Sequence, residues 1–122
     1  MVQEYRPVRI LLKGQAKAKF EELNLVATAQ QAEGITNSDE IQLLKSIMQK
    51  ADSIKENRIY GDNIPKKSIP KSFDVSNLFR VELVGYWRML YSLETNENEI
   101  IAFITHILKH KDYDKLFGYR KK

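Results

Sequence analysis

The sequence predicts an α+β domain in which a single sheet carries a pair of helices on one face. Three runs rich in β-branched and aromatic residues lie close together in the C-terminal half, which is typical of neighbouring strands. Two longer segments with helical periodicity precede them, and a short apolar run near the N-terminus adds a fourth strand. With 122 residues, the chain has the size of one domain with its own core. We therefore assign residues 1–122 to a single domain.

The N-terminal half predicts one strand followed by a helical hairpin. The strand covers residues 5–12. Apolar residues recur at helical spacing over 16–32, and Gly34 is placed to end that helix. The sequence Asn-Ser-Asp-Glu at 37–40 supplies a capping residue with a glutamate three positions on, and a second helix then runs to about residue 57. The short connection predicts an antiparallel pair lying across one face of the sheet.

The C-terminal half predicts a three-stranded antiparallel meander, because a tight turn and a short polar segment separate its three strand-length runs. Alternation along the first two strands places apolar side chains on one face and Arg80, Glu82 and Arg88 on the other. The apolar face is suited to a core, so we expect the arginines on the uncovered face, with a tail after the last strand reaching over it. The three runs cover residues 78–84, 86–93 and 100–108.

The composition excludes several classes of chemistry. The chain has no cysteine, so disulfides, thiolate catalysis and cysteine-ligated zinc are excluded. His106 and His110 are four residues apart, which would suit a metal on a helix, whereas a strand would separate them by about 13 Å. We expect His106 to be a satisfied core or edge residue, and we expect neither a metal nor another cofactor. No segment approaches a membrane span or a signal sequence, so we expect a cytoplasmic protein without membrane contact.

The basic charge is unevenly distributed. The formal net charge is +4, and from His106 onward six basic side chains stand against two acidic ones. An asymmetric basic surface indicates an anionic partner, most commonly nucleic acid; the alternative is a solubilising tail. The loop at 59–73 contains two Ile-Pro pairs, which exclude a helix. Its lysines are candidates for phosphate contacts, or else ordinary surface residues: Lys66, Lys67 and Lys71.

Three segments in this order resemble the RelE/ParE superfamily, the toxins of type II toxin–antitoxin pairs. FRVEL at 79–83 is similar to the family pattern of a basic residue, any residue, a polar residue and leucine. GYWRMLY at 85–91 is similar to Gly-x-Arg-x-x-Tyr, and HKDYDKLF at 110–117 is similar to the C-terminal histidine or arginine with an aromatic residue. The order of strand, helical hairpin and meander resembles the family over nearly the whole chain.

The resemblance implies a metal-independent endoribonuclease that cuts messenger RNA on the ribosome and is neutralised by a cognate antitoxin. Cleavage by the 2′-OH of the RNA needs a proton acceptor, cations around the phosphate and a proton donor. Arg88 is expected to clamp the phosphate, Arg80 to assist it, and His110 to transfer a proton. Tyr113 is expected to donate a proton or to stack on a base. The further residues expected to contact RNA are Lys66, Lys67, Lys71, Lys109, Lys111, Tyr119 and Arg120.

Other readings stay open. Arg88 would be tied up if it paired with Glu82 across the hairpin. Glu82 stands where ribosome-dependent relatives carry a basic residue, so it either serves as the proton acceptor or marks the loss of the catalytic set. The ParE branch binds DNA gyrase without a nuclease centre. The alternatives are therefore a gyrase-binding toxin, an inactive relative acting as a protein-binding or RNA-binding module, or a general RNA-binding domain.

Overall fold

A five-stranded mixed sheet organises the fold, and the computed structural model describes residues 6–118 of the chain. The α+β class is confirmed, but the sheet has five strands where the sequence predicts four. The additional strand, β2, has only two residues, and it lies in the loop that the Ile-Pro pairs mark as irregular. The elements are β1 Val8–Leu12, α1 Gly14–Ala32, α2 Asp39–Glu56, β2 Asp62–Asn63, β3 Phe79–Glu82, β4 Trp87–Thr95, β5 Ile100–Lys109 and α3 His110–Leu116.

The strand order is β1-β5-β4-β3-β2. The predicted meander is confirmed, because β3, β4 and β5 pair antiparallel in sequence order. β2 adds to the free edge of β3, with Asp62 opposite Arg80. β1 pairs in parallel with β5, with Val8 opposite Ile100. The two helices between β1 and the meander provide the crossover that such a parallel pair requires.

The end of α1 and the start of α2 each have an identifiable signal. Gly34 takes a φ of 87°, and its amide donates to the carbonyl of Gln31, which ends α1 as predicted. At the start of α2, the hydroxyl of Ser38 accepts from the amide of Ile41 at 3.1 Å. The cap is therefore Ser38, one residue beyond the first residue of the predicted capping segment.

The helical hairpin covers one face of the sheet, as predicted. Its apolar stripe packs against the side chains that alternate inward along the strands, and burying this apolar surface is the main favourable contribution to folding. The buried cluster includes Ala16, Leu23, Leu43, Ile47 and Ile54 from the helices and Val81, Met89, Tyr91, Ala102, Ile104 and Ile107 from the sheet.

The second face of the sheet is not uncovered, and here the prediction is wrong. Leu90, which alternates with Met89 and Tyr91, is buried in a second cluster together with Leu78, Ile64 and Tyr113. This cover comes from α3 and from the loop between β2 and β3. The sequence-based prediction treats 110–117 as a tail, whereas its apolar residues recur at helical spacing and form a short amphipathic helix.

His106 is a packed residue of the second face, as predicted. Its ring stacks on Phe73, with ring centroids 4.8 Å apart, and burial lowers the pKa of His106. The register between β4 and β5 shifts at Leu90 and Tyr91, so that Leu90 lies opposite His106 but Tyr91 lies opposite Ile104. The bulge at Thr105 therefore turns His106 towards the second face.

The buried imidazole makes stability depend on pH. Because the pKa of His106 is lowered in the fold, the unfolded chain binds a proton first as the pH falls below about 6.5. The free energy of unfolding should therefore decrease from about pH 7 to about pH 5, measured by chemical denaturation. His106→Phe should flatten this slope.

Two carboxylates with lowered pKa values affect the free energy of unfolding only below this pH range. Hydrogen bonds from Gln30 and Arg9 lower the pKa of Glu40 and Glu99 respectively. Their contributions are complete above about pH 4.5 and are lost only at lower pH. If the free energy of unfolding of His106→Phe changes between about pH 7 and about pH 5 as much as that of the wild type, His106 is not the cause of the pH dependence.

Candidate active site

Two arginines of the second face converge on one tyrosine. Arg80 on β3 and Arg88 on β4 share this face, since Arg88 lies opposite Glu82 and Arg80 lies opposite Leu90. The guanidinium carbons of Arg88 and Arg80 lie 4.6 and 5.9 Å from the ring centroid of Tyr113. Tyr113 is only 1% exposed. α3 thus brings the ring against both cations, in the geometry of a cation–π contact.

Each arginine also has an acidic partner. Arg80 Nη2 lies 3.2 Å from Asp62 Oδ2, and Arg88 Nη1 lies 3.6 Å from Asp114 Oδ1. The ion pair of Arg88 is therefore with Asp114 on α3 rather than with Glu82 across the hairpin. About a quarter to a third of each arginine side chain remains exposed. The two guanidinium groups are held by acidic partners, and part of each arginine side chain stays exposed.

The environment of Arg80 keeps it charged. Burial lowers the pKa of Arg80, but hydrogen bonding and charge interactions with Tyr113 and Asp62 outweigh it and raise the pKa above its ordinary value. In the described part of the chain, the Nε atom of Arg80 is buried without a hydrogen-bond partner. A buried donor without an acceptor is unfavourable. Arg80 is thus a permanent cation with unused hydrogen-bonding capacity.

His110 lies at the same end of the sheet as Arg88. It is the exposed first residue of α3 and follows Lys109, which pairs with the residue before Arg88. Tyr113 comes three positions later, so the two side chains lie on the same side of the helix. The ring of His110 meets the ring of Tyr86 edge to face, with centroids 5.8 Å apart. The histidine is therefore within one helical turn of the ring beneath Arg88.

Glu82 lies beside Arg88, on the face where the sequence predicts it. It is exposed and directly opposite Arg88 in the β3–β4 pair. Its alternation with Arg80 along the strand is the signal that predicts this position. The structure therefore places a carboxylate, two guanidinium groups and an imidazole at one end of the second face.

An open cleft continues from this cluster around the edge of β3. Its volume is about 310 Å³, and β2 beside it pairs only with Phe79 and Arg80. Lys50 donates a hydrogen bond to the hydroxyl of Tyr60 at 3.1 Å within it. The lining residues are Lys50, Tyr60, Gly61, Asp62, Arg80, Val81 and Glu82.

The predicted RNA-contacting lysines are distributed over several elements. The ammonium group of Lys109 lies 5.7 Å from the ring centroid of Trp87, whose side chain packs against the helix-covered core. Lys66 and Lys67 lie in an exposed 3-10 turn, Lys66–Ser68. Lys71 and Lys111 are also exposed. The remaining two predicted contacts, Tyr119 and Arg120, lie outside the described residues.

Tyr113 has a different position from the one expected. Its burial leaves no ring face open for a nucleobase, and its ring lies against the two guanidinium groups. Within residues 6–118, no group of three or more histidine, aspartate or glutamate side chains is arranged to hold a metal ion. None of the helices described is long and apolar enough to cross a bilayer.

No family model, curated protein or solved structure matches this chain. The fold and the site together define an α+β protein with a five-stranded mixed sheet and a partly exposed, arginine-rich site.

Proposed function

We propose that the chain is a RelE-like toxin of a type II toxin–antitoxin system, a metal-independent endoribonuclease that cleaves messenger RNA on the ribosome. The observation that carries the proposal is the convergence of Arg80 and Arg88 on Tyr113, with exposed Glu82 and His110 at the same end of the sheet. A phosphodiester needs cations on its oxygens and a proton acceptor and donor on its two sides. These four residues are of the required types.

The proposed reaction is an attack by the 2′-OH of the RNA on the adjacent phosphorus. Glu82 accepts the proton of the hydroxyl while the bond from the 2′-oxygen to phosphorus forms. Arg88 and Arg80 stabilise the negative charge that develops on the phosphate oxygens. The bond from phosphorus to the 5′-oxygen then breaks, and His110 donates a proton to that oxygen. The products are a 2′,3′-cyclic phosphate and a free 5′-hydroxyl.

The acidic partners of the arginines support neutralisation by an antitoxin. Asp62 and Asp114 show that carboxylates fit beside both guanidinium groups. An antitoxin would bring further acidic side chains to the same cations and exclude the message from them. Complementary charge of this kind speeds association and selects the partner.

The proposal is tested with purified protein, ribosomes and a defined message in the presence of a chelator. We expect cleavage at the codon in the ribosomal A site, with 2′,3′-cyclic phosphate ends on the upstream fragments. His110→Gln should slow cleavage roughly a hundredfold because the proton donor is lost. His106→Phe, at the chain's other histidine, should cut at the wild-type rate. Intact message after incubation with the wild-type protein would overturn the proposal.

A second candidate is a gyrase-binding toxin or an inactive relative that grips a protein through the same face. It is favoured by the ion pairs that already occupy both arginines and by Glu82, whose charge repels phosphate. Inhibition of gyrase supercoiling without RNA cleavage would select this candidate.

A further inference from the structure

The turn between β3 and β4 contains a residue in an unfavourable backbone conformation. Gly85 has a φ of 69° and Tyr86 a φ of 64°, and Tyr86 is the one non-glycine residue with positive φ among residues 6–118. Positive φ at both central positions is typical of a type I′ turn, where glycine and asparagine are preferred. The amide of Trp87 donates to the carbonyl of Val84, which closes the turn. Glycine would serve this connection better than tyrosine does.

Packing does not explain the tyrosine at this position. Its side chain is 80% exposed, so little of the ring is removed from water. The ring contact that the structure gives it is the edge-to-face pair with His110. A strained residue whose ring projects into solvent indicates a function for that ring.

The surroundings identify the kind of ligand. Tyr86 is two residues from Arg88, which is about 7 Å along a strand, and it contacts the histidine of the proposed reaction. Exposed Lys111 follows that histidine. Flat rings beside cations are the arrangement that binds single-stranded nucleic acid, because a base stacks on the ring while the cations contact the backbone.

We propose that Tyr86, supported by His110, is a stacking platform for an unpaired base of single-stranded RNA and selects the nucleotide that is placed at Arg88. This rests on the proposed function, since it names the part of the message that the same site reads. The strain at Tyr86 is then explained, because the turn aims the ring away from the sheet and towards the strand of RNA. A purine, with the larger ring system, is expected to bind more tightly than a pyrimidine.

The test uses a short RNA that contains 2-aminopurine and has 2′-O-methyl groups to block cleavage. Stacking on Tyr86 should quench the fluorescence of the base in the wild-type protein and in Tyr86→Phe. Tyr86→Gly should bind roughly tenfold more weakly, with a thermal midpoint no lower than that of the wild type, because glycine suits the turn. Val84→Ala, at another exposed residue of the same turn, should bind as the wild type does.

The possible outcomes test the stacking proposal independently of the nuclease proposal. Equal affinity of Tyr86→Gly and wild type, or no quenching by the wild type, would overturn the platform even if the ribosome assay shows cleavage. Quenching that requires Tyr86 in a protein that cuts no message would support the platform and reject the nuclease. If Tyr86→Gly loses gyrase inhibition and keeps RNA binding, the ring serves a protein partner and the nucleobase proposal is wrong.

Discussion

Replacing Arg88 by alanine is expected to reduce RNA cleavage roughly a hundredfold to a thousandfold, the usual effect of removing one donor from a developing oxyanion. Arg88 lies against Tyr113 and Asp114, so its guanidinium group is already oriented before RNA binds. Arg88→Lys keeps the charge but loses the planar pair of donors. Its cleavage rate should lie between those of the wild type and Arg88→Ala. The measurement is the initial rate of cleavage in the ribosome assay.

Arg9→Ala is the matched control for this experiment. Arg9 makes a two-pronged ion pair with Glu99, at 2.9 and 2.8 Å, and it lies on β1 at the opposite edge of the sheet from β2. The substitution removes the same charge without changing the proposed site. Its cleavage rate should match that of the wild type. Similar rates for Arg88→Ala and Arg9→Ala would exclude Arg88 as the clamp.

Truncation of Tyr91 to alanine is expected to destabilise the protein by about 3–5 kcal/mol. The side chain is fully buried, and its ring stacks on Phe79 with centroids 5.0 Å apart. Its hydroxyl donates to the carbonyl of Arg58 at 2.8 Å and accepts from the amide of Gly61 at 2.9 Å. Burial raises the pKa of Tyr91, and the bond from Gly61 partly opposes this. One side chain therefore supports both the core and the loop that precedes Asp62.

Two further variants divide this effect into its parts. Tyr91→Phe keeps the ring and leaves two backbone groups without their partner, which should lower the free energy of unfolding by about 1–3 kcal/mol. Tyr60→Ala, at an exposed tyrosine of the same loop, should change it by less than about 0.5 kcal/mol. The values come from urea denaturation. Equal stability of Tyr91→Phe and wild type would show that the hydroxyl does not anchor the loop.

Long periodic segments could be predicted from the sequence, and short ones could not. The two long helices match their predicted spans within about three residues. An apolar stripe repeated over many turns fits the helical period and not the period of a strand. β2 has only two residues, which is too short for a side-chain pattern. The segment of α3 has too few apolar residues for its sequence alone to distinguish a helix from an irregular tail. These residues are Tyr113, Leu116 and Phe117, and they pack on the second face of the sheet.

The candidate site could also be predicted only in part from the sequence. Alternation is sufficient to place Arg80, Glu82 and Arg88 on one face. The bulge at Thr105 shifts the register of β5 by one residue, and such a shift sends each later side chain to the opposite face. Lys109 consequently lies beside Trp87. The ion pairs of the arginines depend on how α3 and the loop dock, which is a tertiary property.

The parallel pairing of β1 with β5 has a consequence for biosynthesis. Val8 meets Ile100, so a nascent chain emerging from the ribosome holds β1 without a partner until β5 has been translated. We expect truncated products that stop before residue 100 to expose this strand and to aggregate, since unpaired strands recruit other chains. Such fragments would also lack α3, and with it the ring of Tyr113 that lies against Arg80 and Arg88.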